Sequence, residues 1–101
     1  MCGFVSLHGN GQDLASYQEI LKQMLATLVH RGPDGEGTTH VDKQALFGHR
    51  RLAVIDLVQG TQPMRSACGR YTLVFNGEIY NYLELRRELQ QKGVVFRSSS
   101  D

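Results

Sequence analysis

A glycine- and proline-rich segment at residues 31–37 constrains the fold most, because it separates a helical pattern from a hairpin pattern. Glycine permits positive φ and proline cannot continue a helix, so the helix must end here. Upstream, Asp13 is placed to cap a helix, and apolar residues follow it at helical spacing. These residues are Leu14, Tyr17, Ile20, Leu21, Met24, Leu25, Leu28 and Val29. Downstream, residues 38–41 and 45–50 are joined by residues 42–44, which predicts a β-hairpin.

The rest of the chain alternates short apolar runs with turn residues. Residues 3–7 predict a buried strand, residues 52–56 an extended segment, 71–75 a strand and 94–97 a last strand. Residues 83–92 predict a helix with Leu85 and Leu89 on one face, Asn81 as its cap and Gly93 as its stop. Together these patterns predict one α+β unit without an internal repeat.

Size and charge exclude several classes of function. A chain of 101 residues forms one domain at most. A net charge of +1 gives no electrostatic reason to expect a nucleic acid or an anionic membrane as partner. We find no signal-peptide pattern and no run of about 18 apolar residues. Two cysteines make no disulfide framework, which favours a reduced, cytoplasmic setting.

Cys2 follows the initiator Met1 directly. Removal of Met1 leaves a thiol and a free α-amine on one residue, and α-amino groups are partly unprotonated near neutral pH. Such a residue can be nucleophile and base at once. Any protein can carry a cysteine at this position, so the interpretation depends on the rest of the sequence.

Several other polar residues have ordinary structural explanations. Asn76-Gly77 is a common turn pair, and Arg50 and Arg51 fit solvated charges near a strand end. The four histidines, at positions 8, 30, 40 and 49, lack the spacing of a metal site, so we predict no metal.

Five motifs, taken in their order and spacing, resemble the glutamine amidotransferase domain of glutamine-hydrolysing asparagine synthetases. They are MCGF at residues 1–4, RGPDG at 31–35, GHRRLAVID at 48–56, the pair QP at 62–63 and NGEIYN at 76–81. Cys-Gly alone is shared with many class II amidotransferases. RGPDG, GHRRLAVID and NGEIYN, in this order and spacing, are specific to the asparagine synthetase branch, and the resemblance covers nearly the whole chain.

The resemblance implies an N-terminal-nucleophile hydrolase fold, a four-layer αββα sandwich, which is incomplete at this length. It makes Cys2 the nucleophile that attacks the side-chain amide of glutamine, with its own α-amine as the base. It also makes the side-chain amide of Asn76 and the backbone N–H of Gly77 the oxyanion hole.

Substrate recognition follows from the same resemblance. Arg51 matches the residue that binds the α-carboxylate of glutamine, and Asp101 the residue that binds its α-ammonium. Backbone groups of Val54 and Ile55, together with Glu78, match the rest of the glutamine pocket. The residues before Asp101 are serine-rich where the family usually has threonine and a small residue before Ser-Asp.

Residues 1–101 thus resemble the N-terminal part of a class II amidotransferase domain that hydrolyses glutamine to glutamate and ammonia. The domain needs no cofactor; ATP and Mg²⁺ belong to a synthetase domain, absent here, that would transfer the ammonia to an activated aspartate. Glutamine and that synthetase domain are the expected partners, no membrane or nucleic acid is expected, and a homodimer stays open. Two alternatives remain: a sister amidotransferase with another acceptor, and an inactive structural fragment.

Overall fold

A computed structural model describes residues 1–10, 13–55 and 58–101. Three antiparallel strands form the main sheet: β1 (Gly3–His8), β2 (Gly35–Val41) and β3 (Ala45–Arg51), in the order β1-β3-β2. Helix α1 (Gln18–Ala26) follows a 3-10 turn at Leu14–Tyr17. The second half of the chain contains the short strands β4 (Met64–Arg65) and β5 (Thr72–Leu73) and helix α2 (Tyr82–Gln91).

The predicted strand at the N-terminus and the predicted hairpin are confirmed. Strands β2 and β3 form the hairpin, and Asp42 adopts φ 52 in the turn between them. Aspartate is one of the few residues that tolerate this left-handed conformation. Strand β1 pairs with the other edge of β3, so that β3 lies in the centre. The prediction that this strand is buried is wrong beyond Gly3, since the residues after Gly3 alternate between exposed and half-buried positions.

Helix α1 packs on the sheet through one narrow stripe. Leu21 and Leu25 have no exposed surface and contact Leu14 and Leu46 in the core. At Gly48 of β3 an added Cβ would lie 2.6 Å from Leu25 Cδ1, so glycine allows the helix to approach the sheet closely. The predicted cap is confirmed, since the Asp13 side chain accepts the Ala15 N–H at 3.0 Å.

The predicted apolar face of α1 is too wide and too long. Tyr17, Ile20, Met24 and Val29 are 38–46% exposed, since the three-stranded sheet covers only one stripe of the helix. The helix ends at Ala26, and residues 27–31 form turns before the glycine-rich loop.

Predictions for the second half hold less well. The strand at 71–75 is reduced to Thr72–Leu73, paired with β4, and residues 94–97 are described and form no strand. The extended segment expected at 52–56 bends at Val54 and Ile55, and its Asp56 lies outside the described residues. Apolar composition favours a strand, but a strand also needs a neighbour for its backbone groups.

Helix α2 has the expected position but a different cap. Gly93 ends it with φ 87, as predicted. Asn81 stands at the cap position without a side-chain hydrogen bond, and its backbone carbonyl accepts the N–H groups of Glu84 and Leu85. All ten residues of α2 are described and none is buried, so Leu85 and Leu89 remain 40% and 39% exposed.

The described residues therefore form a small α+β unit with antiparallel sheets, which confirms the predicted class. No helix among them has the length and apolar character to cross a membrane.

Candidate active site

Cys2 is held against the end of β3 by hydrogen bonds to its side chain and its backbone. The N–H of Leu52 donates to Cys2 Sγ at 3.3 Å, and the thiol lies 3.6 Å from the Leu52 carbonyl oxygen. Nε of Arg31 donates to the Cys2 carbonyl oxygen at 3.1 Å. Because these contacts come from two different loops, they fix both the position and the direction of the residue that precedes β1.

The loop at residues 31–35 also fixes the backbone that follows β3. The Asp34 N–H donates to the Arg51 carbonyl oxygen at 2.9 Å, and Asp34 Oδ2 accepts the Ala53 N–H at 2.8 Å. Gly32 is buried against this backbone, where an added Cβ would lie 2.4 Å from the Arg50 carbonyl carbon. The sequence predicted a well-formed loop here but not that the loop holds the backbone after β3. The aspartate between two glycines could have indicated such contacts.

Arg50 and Arg51 lie next to each other but point to opposite sides of β3, as successive strand residues do. Arg50 Nη2 forms an ion pair of 2.6 Å with Glu36, and its Nε donates to the Leu25 carbonyl oxygen near the end of α1. Arg50 therefore connects strand and helix. Arg51 Nη2 donates to the Ile55 carbonyl oxygen at 2.9 Å, which closes the bend after β3.

Asn76 and Gly77 directly follow Phe75, whose backbone N–H and carbonyl each contact a side chain. Gln62 Oε1 accepts the Phe75 N–H at 2.5 Å, and His49 Nε2 lies 3.2 Å from the Phe75 carbonyl oxygen. Gly77 folds onto the Phe75 ring, since an added Cβ would lie 2.7 Å from the ring carbon Cζ. Asn76 and Gly77 are themselves exposed toward solvent.

Among the described residues, His49 is the polar residue that is buried, with 1% of its surface exposed. Burial lowers the pKa of its imidazole, and the nearby positive charge of Arg51 lowers it further, while the hydrogen bond to the Phe75 carbonyl acts in the opposite direction. Sequence reasoning treated this histidine only as a candidate metal ligand. Its position on a central strand could have indicated a structural role.

Asp101 contacts the segment that carries the predicted substrate-binding residue Glu78. Asp101 Oδ2 accepts the Ile79 N–H at 2.7 Å, and the Ser100 hydroxyl lies 3.4 Å from Oδ1. Glu78 is exposed. The end of the chain is thus connected to the loop that follows Asn76 and Gly77.

A cleft of about 1110 Å³ brings the predicted site residues together. Every one of the eight lines it: Cys2, Arg51, Val54, Ile55, Asn76, Gly77, Glu78 and Asp101. They come from four separate stretches of the chain. The other cysteine, Cys68, is exposed and lies outside the described lining of the cleft.

Comparison with known proteins identifies the family of this chain. A family model described as a glutamine amidotransferase domain matches residues 1–101. Over 103 residues the chain is 47% identical to asparagine synthetase (glutamine-hydrolyzing) 1 of Bacillus subtilis, covering 100% of this chain and 16% of that protein. Over 115 residues it is 52% identical to a putative asparagine synthetase (glutamine-hydrolyzing) of Mycobacterium bovis, covering 100% and 18%. The chain spans less than a fifth of the length of these two curated relatives.

Proposed function

The chain belongs to the glutamine amidotransferase domain family, and from this membership we propose that it forms the glutaminase part of an asparagine-synthetase-like enzyme. The reaction is hydrolysis of glutamine to glutamate and ammonia. One observation carries the proposal: Cys2 shares a cleft with every residue that the sequence assigned to glutamine. The names of the two relatives favour the asparagine synthetase branch over a sister amidotransferase.

Cys2 performs the covalent chemistry in this proposal. After removal of Met1, the α-amine of Cys2 takes the thiol proton, and the thiolate attacks the amide carbon of glutamine. The carbon–nitrogen bond then breaks, and the proton held on the α-amine leaves with the nitrogen as ammonia. Water hydrolyses the remaining thioester to glutamate and restores the thiol. The Leu52 N–H that points at Sγ, at 3.3 Å, supports the placement of a sulfur that carries negative charge.

Asn76 and Gly77 stabilise the oxyanion. The attack moves negative charge onto the amide oxygen of glutamine, and fixed hydrogen-bond donors lower the energy of that state. The side-chain amide of Asn76 and the backbone N–H of Gly77 are two such donors on one wall of the cleft. Glycine at position 77 has no side chain, which permits a close approach of the backbone to its neighbours.

The zwitterionic end of glutamine requires one cation and one anion. Arg51 binds the α-carboxylate, and the bond from its Nη2 to the Ile55 carbonyl orients the guanidinium. Asp101 binds the α-ammonium, with the Ile79 N–H fixing one of its oxygens. The backbones of Val54 and Ile55 and the side chain of Glu78 complete the pocket.

The larger protein is also part of this proposal. Residues 1–101 belong to the N-terminal part of a class II amidotransferase domain with the four-layer αββα sandwich of N-terminal-nucleophile hydrolases. The exposed leucines of α2 support this, because a larger domain would cover them. A synthetase domain with ATP and Mg²⁺ would use the ammonia on aspartate in the cytoplasm, and the greater length of the relatives supports its existence.

Separate substitution of each of the two cysteines tests the proposal. In the natural chain that carries residues 1–101, we measure glutamate formed from glutamine. We expect Cys2→Ala to abolish it and Cys68→Ser to leave it unchanged, because Cys68 is exposed and lies outside the described cleft lining. Glutamate formation by the Cys2→Ala protein would refute the proposed function.

A further inference from the structure

The peptide groups of Phe75 are held by side chains rather than by a sheet. Residue 75 lies two positions beyond the end of β5 at Leu73, so strand pairing does not satisfy its N–H and carbonyl. Gln62 Oε1 accepts the N–H at 2.5 Å, and His49 Nε2 lies 3.2 Å from the carbonyl oxygen. Because a carbonyl oxygen only accepts hydrogen bonds, Nε2 carries the proton and donates it. Two side chains thus set the orientation of the backbone directly before Asn76.

Both side chains rest on the rigid part of the sheet. His49 lies in the central strand β3, opposite Phe4 of β1 and Gly37 of β2, and is almost completely buried. The Gln62 carbonyl oxygen packs against the same Gly37, where an added Cβ would lie 2.0 Å away. Through these two contacts the sheet restrains the backbone of Phe75.

The backbone after Phe75 has little freedom to compensate. Gly77 is packed on the ring of Phe75, so a rotation of the Phe75 peptide would move the Gly77 N–H and the Asn76 side chain together. An oxyanion hole depends on donors about 2.7–3.1 Å from the developing charge, and small displacements of donors reduce its effect.

We propose that His49 and Gln62 are positioning residues: they fix the Phe75 peptide and thereby aim Asn76 and Gly77 into the cleft. This inference rests on the proposed function, because it assigns the oxyanion hole to the same two residues. His49 lies outside the described lining of the cleft and Gln62 is part of it, and in this proposal both act through the Phe75 peptide. Burial lowers the pKa of His49 and so favours the neutral imidazole, and the contact with the Phe75 carbonyl then places the proton of the neutral ring on Nε2.

Replacing His49 by glutamine or by asparagine distinguishes the effect of its Nε2 hydrogen-bond donor from the effect of its size. The amide nitrogen of glutamine reaches the place of the imidazole Nε2, whereas that of asparagine stops near Nδ1. We expect His49→Asn to lower kcat for glutamine hydrolysis by about tenfold to a hundredfold, less than the ~10²–10³ for loss of a whole oxyanion donor, with KM nearly unchanged. His49→Gln should retain most of kcat. Wild-type kcat in His49→Asn, or equal losses in both variants, would overturn the proposal.

Gln62 provides the second, independent pair of variants. It is only half-buried, so its replacement is tolerated better than that of His49. Gln62→Glu keeps an oxygen that accepts the Phe75 N–H and should remain active, while Gln62→Met removes it and should lose kcat as His49→Asn does. If the His49 variants do not fold, this pair decides: equal kcat in Gln62→Met and Gln62→Glu overturns the proposal.

A reaction of Cys2 that forms no oxyanion distinguishes a positioning role of His49 from a general disturbance of the fold. Iodoacetamide alkylates Cys2 by forming a sulfur–carbon bond as iodide leaves, and no oxyanion develops. With Cys68→Ser in the background, we expect His49→Asn to leave this rate unchanged while kcat falls. A parallel fall of both would show that His49 merely supports the fold. His40→Asn, at an exposed position of β2, is the matched control and should change neither rate.

Two further variants separate this inference from the proposed function. Cys2→Ala and Asn76→Ala should both lose glutamate formation. If Cys2→Ala retains it, the proposed function and this inference fall together. If both lose it while His49→Asn and Gln62→Met keep wild-type kcat, only the positioning role is refuted.

Discussion

At the scale of single residues, the proposed recognition of glutamine depends on Arg51 and Asp101. Arg51→Lys keeps the positive charge but removes the planar fork and the bond from Nη2 to the Ile55 carbonyl. We expect a higher KM for glutamine and a loss of about 1.5–3 kcal/mol in kcat/KM, the typical contribution of a hydrogen bond to a charged group. Asp101→Asn should weaken the ammonium end similarly. Steady-state kinetics with wild-type kcat/KM in either variant would contradict the assignment.

Cys68 offers a separate test of local electrostatics. The Ser66 hydroxyl, 3.3 Å from Sγ, lowers the pKa of the Cys68 thiol, and Ser66 already accepts the Tyr71 N–H, which leaves its own proton for the sulfur. A lower pKa means more thiolate at neutral pH and faster alkylation. In a Cys2→Ala background we expect Ser66→Ala to shift the pH midpoint of Cys68 alkylation upward.

The Ser66→Thr variant, which keeps a hydroxyl, is the control for this shift and should stay near the wild-type midpoint. An unchanged midpoint in Ser66→Ala would show that the hydroxyl does not stabilise the thiolate.

At the scale of elements, the loop between α1 and β2 holds the end of β3. Gly32→Ala would place a Cβ 2.4 Å from the Arg50 carbonyl carbon and 2.5 Å from the Arg51 nitrogen, both backbone atoms. Backbone cannot move aside cheaply, so we expect a loss of about 1–3 kcal/mol in the free energy of unfolding. Urea denaturation of the chain measures this loss.

Gly35→Ala, at the first residue of β2 directly after this loop, is the matched control. Its added Cβ would meet only the Arg51 Cβ, at 3.8 Å, an ordinary van der Waals contact. Equal destabilisation by Gly35→Ala and Gly32→Ala would show that the close approach at Gly32 is unimportant.

Turns and caps were predictable because their partners lie close in sequence. The β2–β3 hairpin and the Asp13 cap depend on local turn and cap chemistry, and both are confirmed. The strand expected at 71–75 shrinks to two residues because its neighbour β4 is only two residues long, and residues 94–97 form no strand; an apolar pattern alone does not supply a partner for the backbone. The same reason explains the exposed apolar residues of α1 and α2.

At the scale of the whole molecule, the sequence predicted which residues share a cleft but not what holds them there. The eight residues came from motifs recognised together, and all of them line one cleft. The contacts that position them run through Arg31, Asp34, His49 and Gln62. Such contacts join loops to distant backbone atoms, and no spacing pattern in a single sequence encodes which carbonyl a side chain will reach.

Acid-quenched mass spectrometry of the natural chain during turnover shows whether Cys2 is a nucleophile with a free α-amine. We predict that the N-terminal peptide begins at Cys2 and carries one glutamyl group in thioester linkage, lost on treatment with hydroxylamine. Full turnover with Met1 still attached, or a glutamyl group on Cys68 instead, would show that Cys2 does not act in this way.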